Sequence, residues 1–377
     1  MATQRVTFTE WTPDLPGIAE NLSVAKNVVP TAIGYAPFPT GVDYSLAASE
    51  TLNNVFAGRF NTTNTVFAGG STKLFKFDSD DLTMDNVSKS AARDITNVAL
   101  TSNVATITTN LAHGYSTGDS VTVDASNNTF DGTFVITGTP TSTTFTYAKT
   151  ASNVPSASAT GTVIADNYAG VSRWNFIQFG DTVICANDKS KLQAWTLGAS
   201  TYFGDVSTNA PVAKYVTVVR DFVVAANLDS GTASNKVIWS DINDESDWTP
   251  GATSQSDYQI IADGGNITGI TGGEFGLILL ERAVVRMSYI GSPYFFQFDT
   301  IARGLGCIEG NSVTKYGNTT YFLGDDGFYS CDGSTVKPIG TQKVDKWFFL
   351  NSNPSKFDQM SASVDPVRKI VVWNFIN

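Results

Sequence analysis

Carboxylates are the residues of this chain whose types and spacing come closest to a catalytic pattern. Paired Asp and Glu side chains can cleave a glycosidic bond, and arginines could hold an anionic sugar beside them. The candidate acids are Asp241, Asp244, Glu245, Asp247, Asp325 and Asp326, and the candidate arginines are Arg220, Arg282, Arg286 and Arg303. Asp325 and Asp326 lie in the run GDDGFYS between two predicted strands, which indicates an ordinary hairpin turn. The sialidase box Ser-x-Asp-x-Gly-x-Thr-Trp is absent from the sequence, so we predict no catalytic residues.

Other catalytic and ligand-binding chemistries have still less support in the sequence. His113 is the only histidine, and it precedes a glycine between two predicted strands, which is typical of a structural residue in a turn. The spacing from Asp241 to Asp247 lacks the glycine and distal glutamate of a calcium-binding EF-hand loop. The glycine-rich loops that bind phosphate groups are also absent. We therefore predict a protein that is not an enzyme and has no metal or cofactor.

Composition favours a β protein with an acidic surface. Only 16% of the 377 residues are charged, while Gly, Thr, Asn and Ser are abundant. The formal net charge of -11 argues against nucleic-acid binding, which depends on Lys and Arg neutralising phosphates. An acidic wall remains compatible with a passage through which DNA slides, because like charges keep a polyanion from adhering.

Cysteine usage and hydropathy indicate folding in a cytoplasm. The three cysteines, Cys185, Cys307 and Cys331, leave at least one thiol unpaired, and none forms a C-x-x-C pair. Neither a signal sequence nor an apolar run long enough for a membrane helix is present, so we predict no membrane span.

A repeating unit of short strands accounts for most of the chain. Residues 54–77 read as three strands separated by tight turns, and similar units have their first turns at residues 180, 220, 273 and 317. A period of roughly 40 to 50 residues built from short strands predicts a β-propeller. A partial unit at 360–375 ends the sequence, so either amino-terminal strands complete the last sheet or the chain is the front portion of a longer protein. The best helix candidate is 342–350, where apolar residues recur at helical spacing.

Residues 95–165 differ in kind, being rich in threonine and poor in charge, with alternating strands bounded by Gly, Asp or Asn. We predict that they form an inserted immunoglobulin-like β-sandwich. The chain then divides into 1–94, an amino-terminal extended segment and first propeller blade; 95–165, the insert; and 166–377, the remaining blades. Three short runs of this segment resemble modules inserted in phage structural proteins: AHG at 112–114, GDSVTV at 118–123 and DGTF at 131–134.

The stretch VIWSDINDESDWTPG at 237–251 has the pattern of a strand followed by an acidic turn and a second tryptophan that folds back. Its motif residues are Trp239, Ser240, Asp241, Asp244, Asp247, Trp248, Pro250 and Gly251. This run resembles a segment of the tail nozzle proteins of short-tailed bacteriophages, of the tail tubular protein B type. NVVPTAIGYAPFP at 27–39 is similar to the opening of that group. The resemblance covers most of the chain except 95–165.

The resemblance implies a structural subunit of the virion tail, synthesised in the host cytoplasm. Such a subunit would form a homo-oligomer, a ring of six in that family, beneath a tail adaptor protein and in contact with tail fibres. The ring would surround an acidic channel for DNA ejection. The alternative is a glycan-binding or glycan-hydrolysing propeller of a tail fibre or spike, which predicts a concave pocket holding two carboxylates or an arginine cluster.

Overall fold

The strands of the molecule form several separate antiparallel sheets. A computed structural model describes residues 9–16, 22, 24–31, 34–38, 43–88, 92–115, 117–165, 168 and 170–377. Predictions for residues 1–8, Pro39 and Asp166 lie outside the described residues. The prediction of a nearly all-β protein is confirmed, and every strand pairing within a sheet is antiparallel.

The amino-terminal part contains a hairpin and the first of six small sheets. The hairpin pairs β1 (Val28–Thr31) with β2 (Gly34–Pro37). The first small sheet consists of β3 (Asn54–Phe60), β4 (Thr63–Gly69), β5 (Leu74–Phe77) and β6 (Met84–Asn86), paired in chain order. The sequence predicted the first three of these strands, and the structure adds β6 as a fourth.

Next in the chain comes a β-barrel, which corrects the prediction of an immunoglobulin-like sandwich at 95–165. Its strands are β7 (Arg93–Thr101), β8 (Val104–Thr109), β9 (Ser120–Ala125), β10 (Gly132–Thr141), β11 (Thr144–Ala148), β12 (Val154–Ser158) and β13 (Gly161–Ala165). Six of them close into a ring because β7 pairs with β8 along one edge and with β13 along the other. The long strand β10 turns a corner at a register shift, pairing first with β9 and then with β11.

Four further small sheets follow, each with four strands paired in chain order. The second contains β14 (Asn175–Phe179), β15 (Thr182–Ala186), β16 (Gln193–Thr196) and β17 (Gly204–Asp205). The third contains β18 (Ala213–Val219), β19 (Phe222–Leu228), β20 (Ala233–Trp239) and β21 (Asp257–Ile260). The fourth contains β22 (Ile267–Thr271), β23 (Gly276–Leu280), β24 (Ala283–Gly291) and β25 (Phe295–Arg303). The fifth contains β26 (Thr314–Tyr316), β27 (Thr319–Leu323), β28 (Phe328–Cys331) and β29 (Val336–Pro338).

The carboxyl-terminal part holds the one α-helix of the described residues and a two-stranded sixth sheet. Helix α1 spans Asp345–Asn351, so it begins three residues later than predicted from the sequence. The delay has a local cause, because Gln342 has a φ of 61°, which is incompatible with a right-handed helix. The sixth sheet pairs β30 (Ser361–Asp365) with β31 (Ile370–Asn374).

The predicted first turns each join the first two strands of a four-stranded sheet. Gly180, Arg220 and Gly317 have φ values of 58°, 52° and 59°, as tight hairpins with the right-handed strand twist require. Gly273 has a φ of 130°, a conformation in which an L side chain would be strained. The sequence repeat therefore corresponds to a repeat of strand pairing.

Apolar side chains form one cluster between each consecutive pair of small sheets. Trp174 and Phe67 belong to the cluster between the first and second sheets, and Trp248 lies in the next cluster. Phe222 and Trp239 lie between the third and fourth sheets. A small sheet cannot bury both its faces alone, so each is stabilised by its neighbours. The barrel has a core of its own, with Phe130, Phe145 and Tyr147 fully buried.

No helix of the described residues is both long and apolar enough to cross a membrane.

Candidate functional site

The acidic turn at 241–247 is held by hydrogen bonds from its own loop. Oδ1 of Asp241 accepts the amide hydrogens of Ile242 at 2.8 Å and Gln255 at 2.7 Å, which ties the two ends of the loop together. The Asp244 carboxylate accepts from the amide and hydroxyl of Ser246, and these bonds lower the pKa of Asp244. Asp247 accepts from the Thr249 amide at 2.9 Å. These carboxylates therefore hold the backbone of their own loop in place.

Both tryptophans of this motif fold onto sheet interfaces. Trp248 is 3% exposed, packs between the second and third sheets, and donates its indole hydrogen to the Glu245 carbonyl at 2.7 Å. Trp239 packs against Phe296 of the fourth sheet with ring centroids 5.1 Å apart. Ser240 is fully buried, and its hydroxyl accepts from Val223 and donates to the Asp241 carbonyl. The motif thus fixes the third sheet between its two neighbours.

A cavity of about 510 Å³ lies where the first strands of all six small sheets meet. β3, β14, β18, β22, β26 and β30 each contribute lining residues. Three cations, Arg173, Lys214 and Lys315, and one acid, Asp188, line it. Its lining is therefore more basic than the chain as a whole, whose net charge is -11.

Polar side chains of the cavity connect neighbouring inner strands. A first strand has a free backbone edge, and buried amide and carbonyl groups need partners. Asn54 donates to the Trp174 carbonyl at 2.5 Å, and Asn175 accepts from the Val216 amide at 2.7 Å. Lys315 donates to the Gly272 carbonyl. Among the described residues, adjacent strands of different sheets form no regular backbone hydrogen bonds with each other, and these side-chain bonds connect them instead.

Among these hydrogen bonds between sheets at the cavity, the bond from Arg173 joins the residues that lie furthest apart in the sequence. It precedes the second sheet, and its Nη1 donates to the carbonyl of Met360, immediately before the sixth sheet, at 2.8 Å. Burial lowers the pKa of Arg173, and the nearby Glu309 counteracts that shift. Burial likewise raises the pKa of Glu309, while Lys214 and Arg173 oppose it. Arg173 and Glu309 are therefore partly desolvated groups of opposite charge, each of which opposes the effect of burial on the pKa of the other.

A second, smaller cavity of about 300 Å³ shares Asp188, Lys214 and Tyr215 with the first. Glu281 and Glu309 also line it, so three carboxylates face one space. Burial raises the pKa of Tyr215 well above its ordinary value, so this phenol stays protonated and can donate a hydrogen bond. The three carboxylates that line this cavity can accept hydrogen bonds from the hydroxyl groups of a ligand.

The other candidates from the sequence do not meet at one site. Arg282 and Arg303 line a groove between the third and fourth sheets, whereas Arg286 lies over Phe275 and Arg220 over Tyr289. The four arginines therefore do not line one mouth. Asp325 and Asp326 lie in the turn between β27 and β28, where Asp326 accepts from the Tyr329 hydroxyl at 2.6 Å.

His113 is buried in the barrel and serves its local structure. Its Nδ1 accepts the Tyr115 amide hydrogen at 2.9 Å, its Nε2 lies 3.2 Å from the Thr141 carbonyl, and its ring stacks on Tyr115. The neutral tautomer with hydrogen on Nε2 satisfies both contacts. In the described part of the chain, His, Cys, Asp and Glu form no group of three that could hold a metal ion.

The sequence analysis missed Arg173, Asp188, Lys214, Tyr215 and Glu309. They come from segments far apart in the chain and share no local motif. The sequence signal was indirect, because three of them, Arg173, Lys214 and Glu309, lie six to eight residues before the predicted first turns at 180, 220 and 317.

Comparison with known proteins gives distant structural similarity alone. No family model matches the chain, and no curated protein matches it. Among solved structures, the phage phi92 endosialidase has 11% sequence identity and a TM-score of 0.21, over 78% of this chain and 47% of that chain. A chain in the nidogen/laminin complex has 11% identity and a TM-score of 0.32, over 74% of this chain and 94% of that chain.

The extracellular domain of a one component system from B. thetaiotaomicron has 10% identity and a TM-score of 0.30, over 78% of this chain and 34% of that chain. The chain therefore spans about a third of that structure and about half of the endosialidase. These similarities are too distant to indicate a function.

Proposed function

We propose that this protein is a structural subunit of a bacteriophage short-tail nozzle, with its six small sheets arranged as the blades of a propeller. The propeller is supported by the chain-order pairing of each sheet and by the shared cavity that all six first strands line. The cavity of about 510 Å³ has the size of a small-molecule site. DNA would instead pass through the centre of the ring that the subunits form.

The observation that carries this proposal is the construction of the motif at 237–251, which resembles a segment of nozzle proteins. Its carboxylates are bonded to their own loop, and its tryptophans are buried between sheets. A motif built this way stabilises a scaffold, which is what a ring subunit needs. In this proposal the subunit binds an adaptor protein, contacts tail fibres and lies in the virion tail, and its lumen-facing loops are acidic.

Cryo-electron microscopy of virions purified from infected cells tests the proposal. We expect a closed ring of this protein on the tail axis, around a channel of DNA width whose wall carries an excess of Asp and Glu. Peripheral copies, or a basic channel wall, would contradict it.

One observation favours a second function, that of a glycan-binding protein of a tail fibre or spike. Asp188, Glu281 and Glu309 line the cavity of about 300 Å³, and carboxylates commonly accept hydrogen bonds from sugar hydroxyls. Incubation of the isolated protein with host polysaccharide separates the two functions. Binding that is lost in Glu281→Gln would support the glycan function, whereas an inert protein that assembles with other tail parts supports the first.

A further inference from the structure

Exposed apolar residues of the β5–β6 loop and of the segment before the first small sheet lie beside several acids, and we name this surface the acidic patch. Its apolar residues are Tyr44, Leu46 and Leu82, with 75%, 61% and 40% exposure. The acids beside them are Asp78, Asp80 and Asp81 of the β5–β6 loop and Asp85 of β6. Large apolar side chains grouped at a surface and bordered by charge are typical of a contact with another protein.

The acidic patch is held in a fixed shape before any partner arrives. The Leu46 amide donates to the Leu82 carbonyl at 2.7 Å, and Tyr44 packs on Phe77 with ring centroids 5.7 Å apart. Leu82 has a φ of 62°, which is uncommon for leucine and places its side chain at the surface. Asp81 accepts from the amide and hydroxyl of Thr83, which fixes the turn. Little conformational entropy would therefore be lost on docking.

A surface of complementary character lies between the third and fourth sheets, and we name it the basic groove. Its volume is about 510 Å³, and Ile260, Ile261 and Phe298 form its apolar part. Arg282 and Arg303 also line it, together with one acid, Asp263, which lies 3.2 Å from Arg303. The Arg303 and Asp263 side chains are 69% and 81% exposed, so this ion pair is weakly held and can be exchanged for another.

One side of the basic groove is an exposed strand. All four residues of β21 are exposed, with Tyr258 at 47% and Ile260 at 52%. Lys236 lies 4.0 Å from the centre of the Tyr258 ring, which adds another positive charge next to the groove. An outer strand with apolar residues exposed in this way is open to association with another chain.

We propose that the acidic patch of one copy docks into the basic groove of a second copy. Leu82 then contacts the apolar part of the groove, and Asp80 and Asp81 face Arg282 and Arg303. Charge complementarity identifies the partner, because most surfaces of a chain with a net charge of -11 would repel one another. The two surfaces are different, so the contact is head-to-tail, and a closed ring satisfies every copy. This inference rests on the proposed ring function and names the surfaces that form it.

The test uses two charge-reversed variants of the full chain. One is Asp80→Lys with Asp81→Lys, and the other is Arg282→Glu with Arg303→Glu. The oligomeric state of each is measured by light scattering after gel filtration, and circular dichroism verifies the fold. We expect the wild type to associate, and each variant alone to associate at least tenfold more weakly. The matched control reverses two exposed acids elsewhere, Asp124→Lys with Glu274→Lys, and should associate like the wild type.

Mixing the two variants gives the decisive result. Each contact in the mixture then pairs either two unchanged surfaces or two reversed ones, so assembly should return to within about threefold of the wild type. Failure of the mixture to assemble would overturn the inference, as would reversed variants that assemble alone like the wild type. If the reversed variants assemble alone, a ring still forms by another contact and the proposed nozzle function stands. A wild type that stays monomeric even with other tail proteins contradicts both the docking inference and the nozzle function.

Discussion

Replacing Arg173 by methionine tests whether one side chain joins the second small sheet to the sixth. The variant keeps most of the side-chain stem but removes the donor to the Met360 carbonyl. A hydrogen bond from a charged group contributes about 1.5–3 kcal/mol. Because burial of the guanidinium already costs free energy, as its lowered pKa shows, we expect a net loss of about 1–2 kcal/mol.

The expected loss is local, and hydrogen exchange detects it. Without Arg173, the sixth sheet keeps its apolar packing on the fifth sheet and α1 but loses this hydrogen bond to the segment before the second sheet. Amides of β30 and β31 should then exchange about 5 to 30 times faster, which is the factor that corresponds to 1–2 kcal/mol. Amides of β19, in the fully buried middle of the third sheet, should exchange at the wild-type rate.

Arg368→Met is the matched control. Arg368 lies in the turn between the two strands of the sixth sheet, and its Nη1 is 3.1 Å from Oδ2 of Asp365 in a pair that is partly exposed to solvent. Exposed ion pairs contribute about 0–1 kcal/mol, so the control should change exchange by less than about fivefold. Equal exchange of β30 and β31 in both variants would refute the argument that Arg173 connects the sixth sheet to the second.

Three further results are expected. Asp241→Ala should lower the free energy of unfolding by about 1–3 kcal/mol in urea titration, because two loop amides lose their acceptor, and Asp244→Ala should cost less. Burial raises the pKa of Asp345, so its ionised form destabilises the fold above that pKa. Asp345→Asn should therefore gain stability relative to the wild type at pH 7, and the gain should vanish as pH falls below the unfolded value of 3.8. Burial also raises the pKa of the Cys185 thiol, so a thiol reagent should modify it only after denaturation.

Each of these results has its own control and its own contradiction. For Asp345 the control is Asp365→Asn, because hydrogen bonds, the largest from the Arg368 amide, lower the pKa of Asp365. That variant should lose stability at pH 7, with the loss disappearing as pH falls through the lowered pKa. If the change in unfolding free energy at pH 7 had the same sign in Asp345→Asn and Asp365→Asn, the opposite pKa shifts assigned to these two residues would be contradicted. Equal losses of unfolding free energy in Asp241→Ala and Asp244→Ala would contradict the prediction for Asp241. Rapid labelling of Cys185 in the native protein would contradict the prediction that its thiol is protected.

Local elements and their repeat could be predicted from the sequence. Alternation of apolar and polar residues, bounded by turn residues, located most strands of the small sheets, because strand formation and tight turns depend on neighbouring residues. The first turns at Gly180, Arg220, Gly273 and Gly317 were predicted from this pattern alone, and each joins the first two strands of a sheet. The pairing of strands within a sheet follows, since tight turns join antiparallel neighbours.

Contacts between residues that are distant in the sequence could not be predicted from it. The region 95–165 has the alternation of a sandwich, yet it closes into a barrel because β7 pairs on both edges, a property of long-range pairing that alternation does not encode. Arg173 and Met360 lie 187 residues apart in sequence, and no local pattern relates them. The cavities and the two charged surfaces depend likewise on how separate sheets come together. Turn chemistry is local and can be read from the sequence, whereas contacts between sheets depend on the packing of the whole chain.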